Sequence, residues 1–316
     1  MTQNGNQTDL SLVPGKAGHH DCSRWLKVFN NLNYDPARGI APHKPLLLLV
    51  LCDLAEEGKL GSRILPRSGD LAFRFSSYFR VVAPRRGTKP DVRLPFFHLR
   101  TEGVWRPLEP DGRIAEDRQR TTAVEIDASL MKCLQDPDFR FMSRRLLIAR
   151  YFQPQERAKL YGLTGISIPN EDTVAADATR YQSSSDSEAK RDAKFAVRVL
   201  PAYDYTCALT RYRMIAVDGT TPLDAAHIHQ FKRGGSNAPT NGIALCKTAH
   251  WLFDRGFWSI ADDLTVLVAT DRFDEAGPEA HLLKRMARSP LLQPSNRCFR
   301  PDPVCLAWHR AFHRFN

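Results

Sequence analysis

The sequence predicts an α+β protein built as two folded units joined by a linker. Three observations carry that expectation. The chain has 316 residues, enough for two ordinary cores, and its 42% apolar and 25% charged residues are those of a folded protein. From about Ser167 to Glu188 the text becomes polar, small and poor in aliphatics, which is the composition of a linker. Late in the chain, Asp224 to Asp254 read as strand, Gly-rich loop, strand and helix in close succession. The expected division is a loose tail over 1–20, a mixed α/β unit over 21–165, a linker over 166–188 and a second unit over 189–316.

The elements follow in order. In 22–34, Trp25, Phe29 and Leu32 recur at helical spacing. The stretch DPARGIAPHKP breaks that helix, and Pro45 suits the first turn of the next, PLLLLVLCDLAEEG, which is apolar on most of its surface and ends at Gly58. Leu71 to Val82 fits helix or strand equally well. PRRGTKPDVR reads as a basic loop. Leu94 to Leu99 reads as a short strand with Pro95 at an edge or start, then a turn at Gly103 and a second strand. Residues 123–135 and 137–152 read as two helices, the second made basic by Arg144, Arg145 and Arg150. After the linker come a helix over 188–200, the late stretch, and a basic tail closing in an aromatic helix.

Charge and composition narrow the partners. The net charge of +10 favours a polyanion, nucleic acid above all. The longest apolar run, Leu46 to Cys52, is too short to span a bilayer, and the N-terminus lacks the apolar core of a signal peptide, so no membrane partner and a cytoplasmic location are expected. Seven scattered cysteines with no CxxC pair argue against a disulfide framework and a zinc ribbon, leaving them as buried small hydrophobes.

The late stretch carries chemistry suited to a phosphodiester. Hydrolysis needs an activated water, an offset for phosphate charge and a stabilised leaving oxygen. One His near its ordinary pKa serves as general base, and one divalent cation serves the other two needs. His227, in the apolar strand LDAAHI, is the candidate base. Asn241, in the turn PTNG, can use its amide to fix the loop and orient the base. His250 and Asp254 lie one turn apart on a helix, a plausible half-site for a divalent metal, with Asp224 a competing ligand if its strand turns it inward.

Tyr203 to Ile260, through YDYTCALT, LDAAHI and NGIALCKTAHWLFDRGFWSI, resemble the HNH endonuclease family with its ββα-metal fold. The resemblance implies that His227 is the base, Asn241 structural and His250 a metal ligand. It implies a divalent cofactor, Mg2+ or Mn2+, with Ni2+ or Zn2+ as alternatives. Many members place an acidic or His ligand immediately before the base, where this chain has Ala226. The cysteines that hold structural zinc in some relatives are missing, with Cys207 and Cys246 standing alone, so no structural zinc is expected.

Residues 22 to 152, chiefly PHKPLLLL and PFFHLRTEGVW, resemble the sulfur-binding domain of McrA-type, phosphorothioate-dependent restriction endonucleases. That resemblance puts Pro95 and His98 at a cup for a backbone sulfur, with Leu94 in its wall, His43 and Lys44 beside it, and Arg38, Arg93 and Arg100 as nearby contacts. Sulfur is larger and a weaker acceptor than oxygen, so an apolar cup with a cationic rim favours it, whereas an oxygen there loses its water uncompensated. Double-stranded, phosphorothioate-modified DNA is the expected partner, cut near the mark. A homodimer is expected because one site cuts one strand. The rivals are an HNH endonuclease reading methylated bases or an unmodified sequence, and a non-catalytic DNA-binding protein with a degenerate HNH fold.

Overall fold

The computed structural model describes residues 16–33, 41–86, 90–166 and 195–315. The first half is organised around α2 (His43–Glu56), whose residues from Pro45 to Cys52 are all buried. Such an all-round apolar helix must be covered on every side. The covering is done by α3 (Gly69–Arg86), α4 (Arg93–His98), α5 (Ala128–Gln135) and α6 (Pro137–Tyr151). Helix α1 (Lys16–Asn30) begins inside the stretch expected as a tail and inserts Trp25 and Phe29 fully into the core. A three-stranded antiparallel sheet, in the order β1 (Ile64–Pro66), β3 (Ala123–Ile126), β2 (Trp105–Leu108), closes the side, and α7 (Pro154–Thr164) follows α6.

Four local readings change. The ambiguous Leu71 to Val82 is helical, with Leu71, Phe75, Tyr78, Phe79 and Val82 buried at helical intervals. Leu94 to Leu99 is not a strand. It is α4 followed by a 3-10 turn, Leu99–Glu102, ended by Gly103 at φ 70°. Pro95 sits in the first helical turn, where its missing N–H is needed by no partner, and Trp105 Nε1 donates to the Phe96 carbonyl at 2.8 Å. Ala123–Ile126, expected as the start of a helix, is the central strand, because Val124 and Ile126 alternate into the core; α5 starts only after Asp127, which accepts from the Ser129 and Leu130 N–H groups. Arg144, one of the three arginines expected to make this helix basic, is 4% exposed and pairs with Asp53 at 2.7 Å and Glu56 at 2.6 Å where α6 lies on α2.

The cysteines also depart from expectation. Cys22 and Cys133 form a disulfide joining α1 to α5, with a Cα–Cα distance of 5.5 Å. Their separation of 111 residues carries no spacing signal a reader could use. Cys207 and Cys246 do not stand alone: they are neighbours through Thr210, whose N–H lies 3.5 Å from Cys207 Sγ and whose Oγ1 lies 4.0 Å from Cys246 Sγ. A hydrogen bond from Cys246 lowers the Cys207 thiol, and the same bond raises Cys246.

The second half opens with α8 (residues 195–202). An antiparallel pair follows, β4 (Leu223–His227) and β5 (Gly242–Cys246), with α9 (Lys247–Asp254) packed on both. The hairpin β6 (Trp258–Ile260) and β7 (Val266–Val268) and the closing helix α10 (Pro303–Phe312) complete it. All but residue 166 of the expected linker falls outside the described residues. Even so, the halves touch directly. Tyr205 donates to Asp70 Oδ1 at 2.5 Å and meets the Phe73 ring edge-on at 5.4 Å. Asp70 and Glu57 also hold the buried Arg74. At the same seam Gly219, at φ +85°, lies so close to α3 that a Cβ would stand 2.3 Å from the Phe73 nitrogen.

His309 of α10 pins the second half together. It is 1% exposed, bonded to Ser259 Oγ at 2.8 Å and the Phe253 carbonyl at 3.2 Å, and stacked on the Phe253 ring at 3.7 Å. Burial first, then the His313 charge, drives its pKa from 6.5 down to about 3. The unfolded chain therefore binds a proton that the folded chain refuses between those values, and stability falls as pH drops through that window, by at most about 1.4 kcal/mol per unit. Thermal melts from pH 7 to pH 4 should show a steeper loss for the wild type than for His309→Gln; parallel slopes would mean that His309 does not contribute.

Candidate active site

Strand β4 and helix α9 place Asp224, His227 and His250 around one cleft of about 530 Å3. Register fixes the strand: Asp224 pairs with Leu245 and His227 with Gly242, while Ala226, paired with Ile243, is fully buried. The position before His227 is therefore closed off by packing, and Ala226 does not line the cleft.

His227 lies flat on Phe195 of α8, with ring centroids 3.9 Å apart and planes 5° apart. Its Nε2 lies 2.8 Å from Oδ1 of Asn237. Stacking fixes the ring plane, and the Asn237 amide governs which ring nitrogen carries the proton. Neither Phe195 nor Asn237 was singled out from the sequence. Asn237 lies in the Gly-rich loop (GGSNAPTN), whose polar residues gave a turn signal but no hint of which one reaches back.

Asn241 is 0% exposed and fully used. Its Oδ1 accepts from the His229 N–H at 2.7 Å, and its Nδ2 donates to the His229 and Ser236 carbonyls at 2.9 and 2.8 Å. It ties both ends of the loop between β4 and β5 and makes no contact with the His227 ring among these bonds. His229 lies beyond the end of β4, and its ring stacks on Trp308 at 4.0 Å.

The two carboxylates that compete for His250 take opposite sides of its ring. Asp224 Oδ2 is 3.1 Å from Nδ1, and Asp254 Oδ2 is 3.5 Å from Nε2. Asp224 also accepts from Lys247 Nζ at 2.5 Å. Burial raises the Asp224 pKa, but the His250 and Lys247 hydrogen bonds outweigh it and hold the carboxyl below its ordinary value. An ionised carboxylate beside an imidazole suits a divalent cation. Asp224 and His250 are the residues that would hold it, with Oδ2 and Nδ1 on the same side of the imidazole. No group of three or more such donors occurs among the described residues. The donors that meet at His250 are Asp224 on Nδ1 and Asp254 on the far nitrogen.

The residues expected to contact modified DNA lie apart from this cleft. Arg38 falls outside the described residues. His43 packs on the Phe79 and Phe75 rings at 5.0 and 6.2 Å. Arg93 is engaged by Asp91 at 2.9 Å. Pro95 is buried and Leu94 half-buried, whereas His98 is exposed. Arg100 covers the Phe97 ring at 4.0 Å, and Lys44 is paired with Glu102 at 2.7 Å. Desolvation, followed by the charges of Lys44, Arg100 and Arg118, lowers the His98 pKa, so these groups share one cationic neighbourhood. Arg118 was not anticipated.

Residues 207–261 match the family model described as HNH endonuclease. Among solved structures, the chain has a likeness to one titled "Modification dependent TagI restriction endonuclease", at 23% identity over 40% of this chain and 39% of that one, with a TM-score of 0.32, too low to define a shared fold. No curated protein matches. Among the described residues no helix is long and apolar enough to cross a membrane.

Proposed function

We propose that this protein is a modification-dependent DNA endonuclease whose second half cuts and whose first half selects the target. The observation that carries the cutting role is the convergence of His227, Asp224 and His250 on one cleft within a segment matching the HNH endonuclease family. His227, held flat on Phe195, takes the proton from the attacking water. Asp224 and His250 hold a divalent ion, Asp254 orients His250, and Asn241 keeps the loop that carries Asn237 against the base. When bound, that ion supplies positive charge to offset the phosphate and stabilise the leaving oxygen.

The selecting role rests on the N-terminal resemblance to sulfur-binding domains, supported by the cationic neighbourhood of Lys44, His98, Arg100 and Arg118 beside the apolar α4. Division into two units, the first beginning no later than α1, belongs to the same reading, as does a homodimer that cuts both strands.

Paired duplexes, one with a single phosphorothioate per strand and one without, decide the selector. The sulfur-bearing duplex should bind at least about tenfold tighter, or 1.4 kcal/mol, in a gel shift at fixed salt. Equal affinity would sink the selector and leave an HNH endonuclease reading methylated bases or plain sequence.

A further inference from the structure

We infer that Arg80, on α3 of the first half, binds a phosphate of the DNA strand lying in the nuclease cleft, so that the cutting site is completed across the seam. This rests on the proposed reading of the cleft as the DNA-cleaving site.

The argument starts from helix periodicity. Phe73, Ser76 and Arg80 stand three and four residues apart, on one face of α3. All three line the cleft that holds His227, Asp224 and His250. The same face is anchored one turn or two earlier: Asp70 accepts from Tyr205, Phe73 meets the Tyr205 ring, and Gly219 lies against the Phe73 backbone. With its N-terminal end fixed to the second half, α3 has little freedom to carry Arg80 away from the cleft.

The charge balance of the cleft points the same way. Asp218 and Asp224 bring negative charge to its wall. Asp218 is satisfied by the Thr220 N–H at 2.9 Å and hydroxyl at 2.6 Å, and Lys247 is committed to Asp224. Arg80 is exposed and makes no hydrogen bond or ion pair with another described residue. The buried arginines nearby, Arg74 and Arg144, each hold two carboxylates. An unpaired guanidinium beside a general base, on a rigid support, is suited to bidentate contact with phosphate oxygens. It acts as a positioning residue for the strand and leaves proton transfer to His227.

The experiment uses the full chain. With wild type, Arg80→Ala and Arg80→Lys, plasmid cleavage in Mn2+ is followed to obtain kcat and KM. Duplex binding is measured without divalent ions against NaCl in a His227→Ala background, with and without Arg80→Ala. The expected result is a loss of about 10- to 100-fold in kcat/KM for Arg80→Ala, partial recovery in Arg80→Lys, an unchanged melting temperature, and a salt slope shallower by about one. Cleavage and salt slope both unchanged would overturn the inference. So would lost cleavage with the slope unchanged, or lost cleavage with a lowered melting temperature, because each is the mark of a structural role. If the wild type fails to cut DNA in every divalent ion tested, the nuclease reading fails, and the salt slope still decides whether Arg80 contacts phosphate.

Discussion

His227→Ala should abolish cutting while leaving DNA binding and folding intact. A positioned general base contributes about 10²- to 10⁴-fold, so the variant should fall by at least that range in single-turnover cleavage with Mg2+ or Mn2+. Binding should persist because the basic groups of the first half, Lys44 and Arg100 among them, do not touch the His227 ring. Removing the imidazole deletes a stacked partner of Phe195, and a melting curve beside the cleavage assay measures that cost. Loss of binding together with cutting would mark His227 as a structural histidine. An Asn237→Ala variant with the same phenotype in weaker form would place the amide as the group that tunes the base.

The second large effect is expected at Asn241. Its carboxamide makes three bonds in a site with no solvent access. Asn241→Ala strands one N–H and two carbonyls, each at about 1–3 kcal/mol, so about 3 kcal/mol or more of stability should be lost. Asn241→Asp is the sharper comparison: it keeps the acceptor toward the His229 N–H and removes both donors. Urea denaturation should rank wild type above Asp and Ala, with cleavage falling in parallel as the Gly235 loop loosens. A change within about 0.5 kcal/mol would mean that water replaces the amide and that the brace is dispensable.

The order His227, Asn241, His250 could be read from the text because strand, loop, strand and helix are contiguous and each residue type has one evident use. Helix α1 was legible because Trp25 and Phe29 stand one turn apart, and α2 because its unbroken apolar run is bounded by Pro45 and Gly58. What could not be read depends on distant partners. Pro95 looks like a strand edge until the Phe96 carbonyl is seen to accept from Trp105, and Arg144 is one basic residue among three until α6 is laid on Asp53. Asp224 and Asp254 could not be ranked from spacing, because their difference is which nitrogen of His250 each one faces. Phe195 lies 32 residues before His227, beyond any local pattern. Arg80 lies in a helix whose residues 71–82 read equally well as a strand, so no face could be assigned to it.

The seam between the halves has a further implication, for how this protein can drift in sequence. A side chain at residue 69 would strike the Ala216 carbonyl 2.4 Å from its Cβ, and one at residue 219 would strike the backbone of α3 while strained at positive φ. Backbone meets backbone there, with no flexible side chain between to absorb a change. Two positions are thereby reduced to an alphabet of one letter, and variation in how the halves meet is left to the side-chain contacts beside them, where Tyr205, Asp70 and Phe73 can still be exchanged in concert.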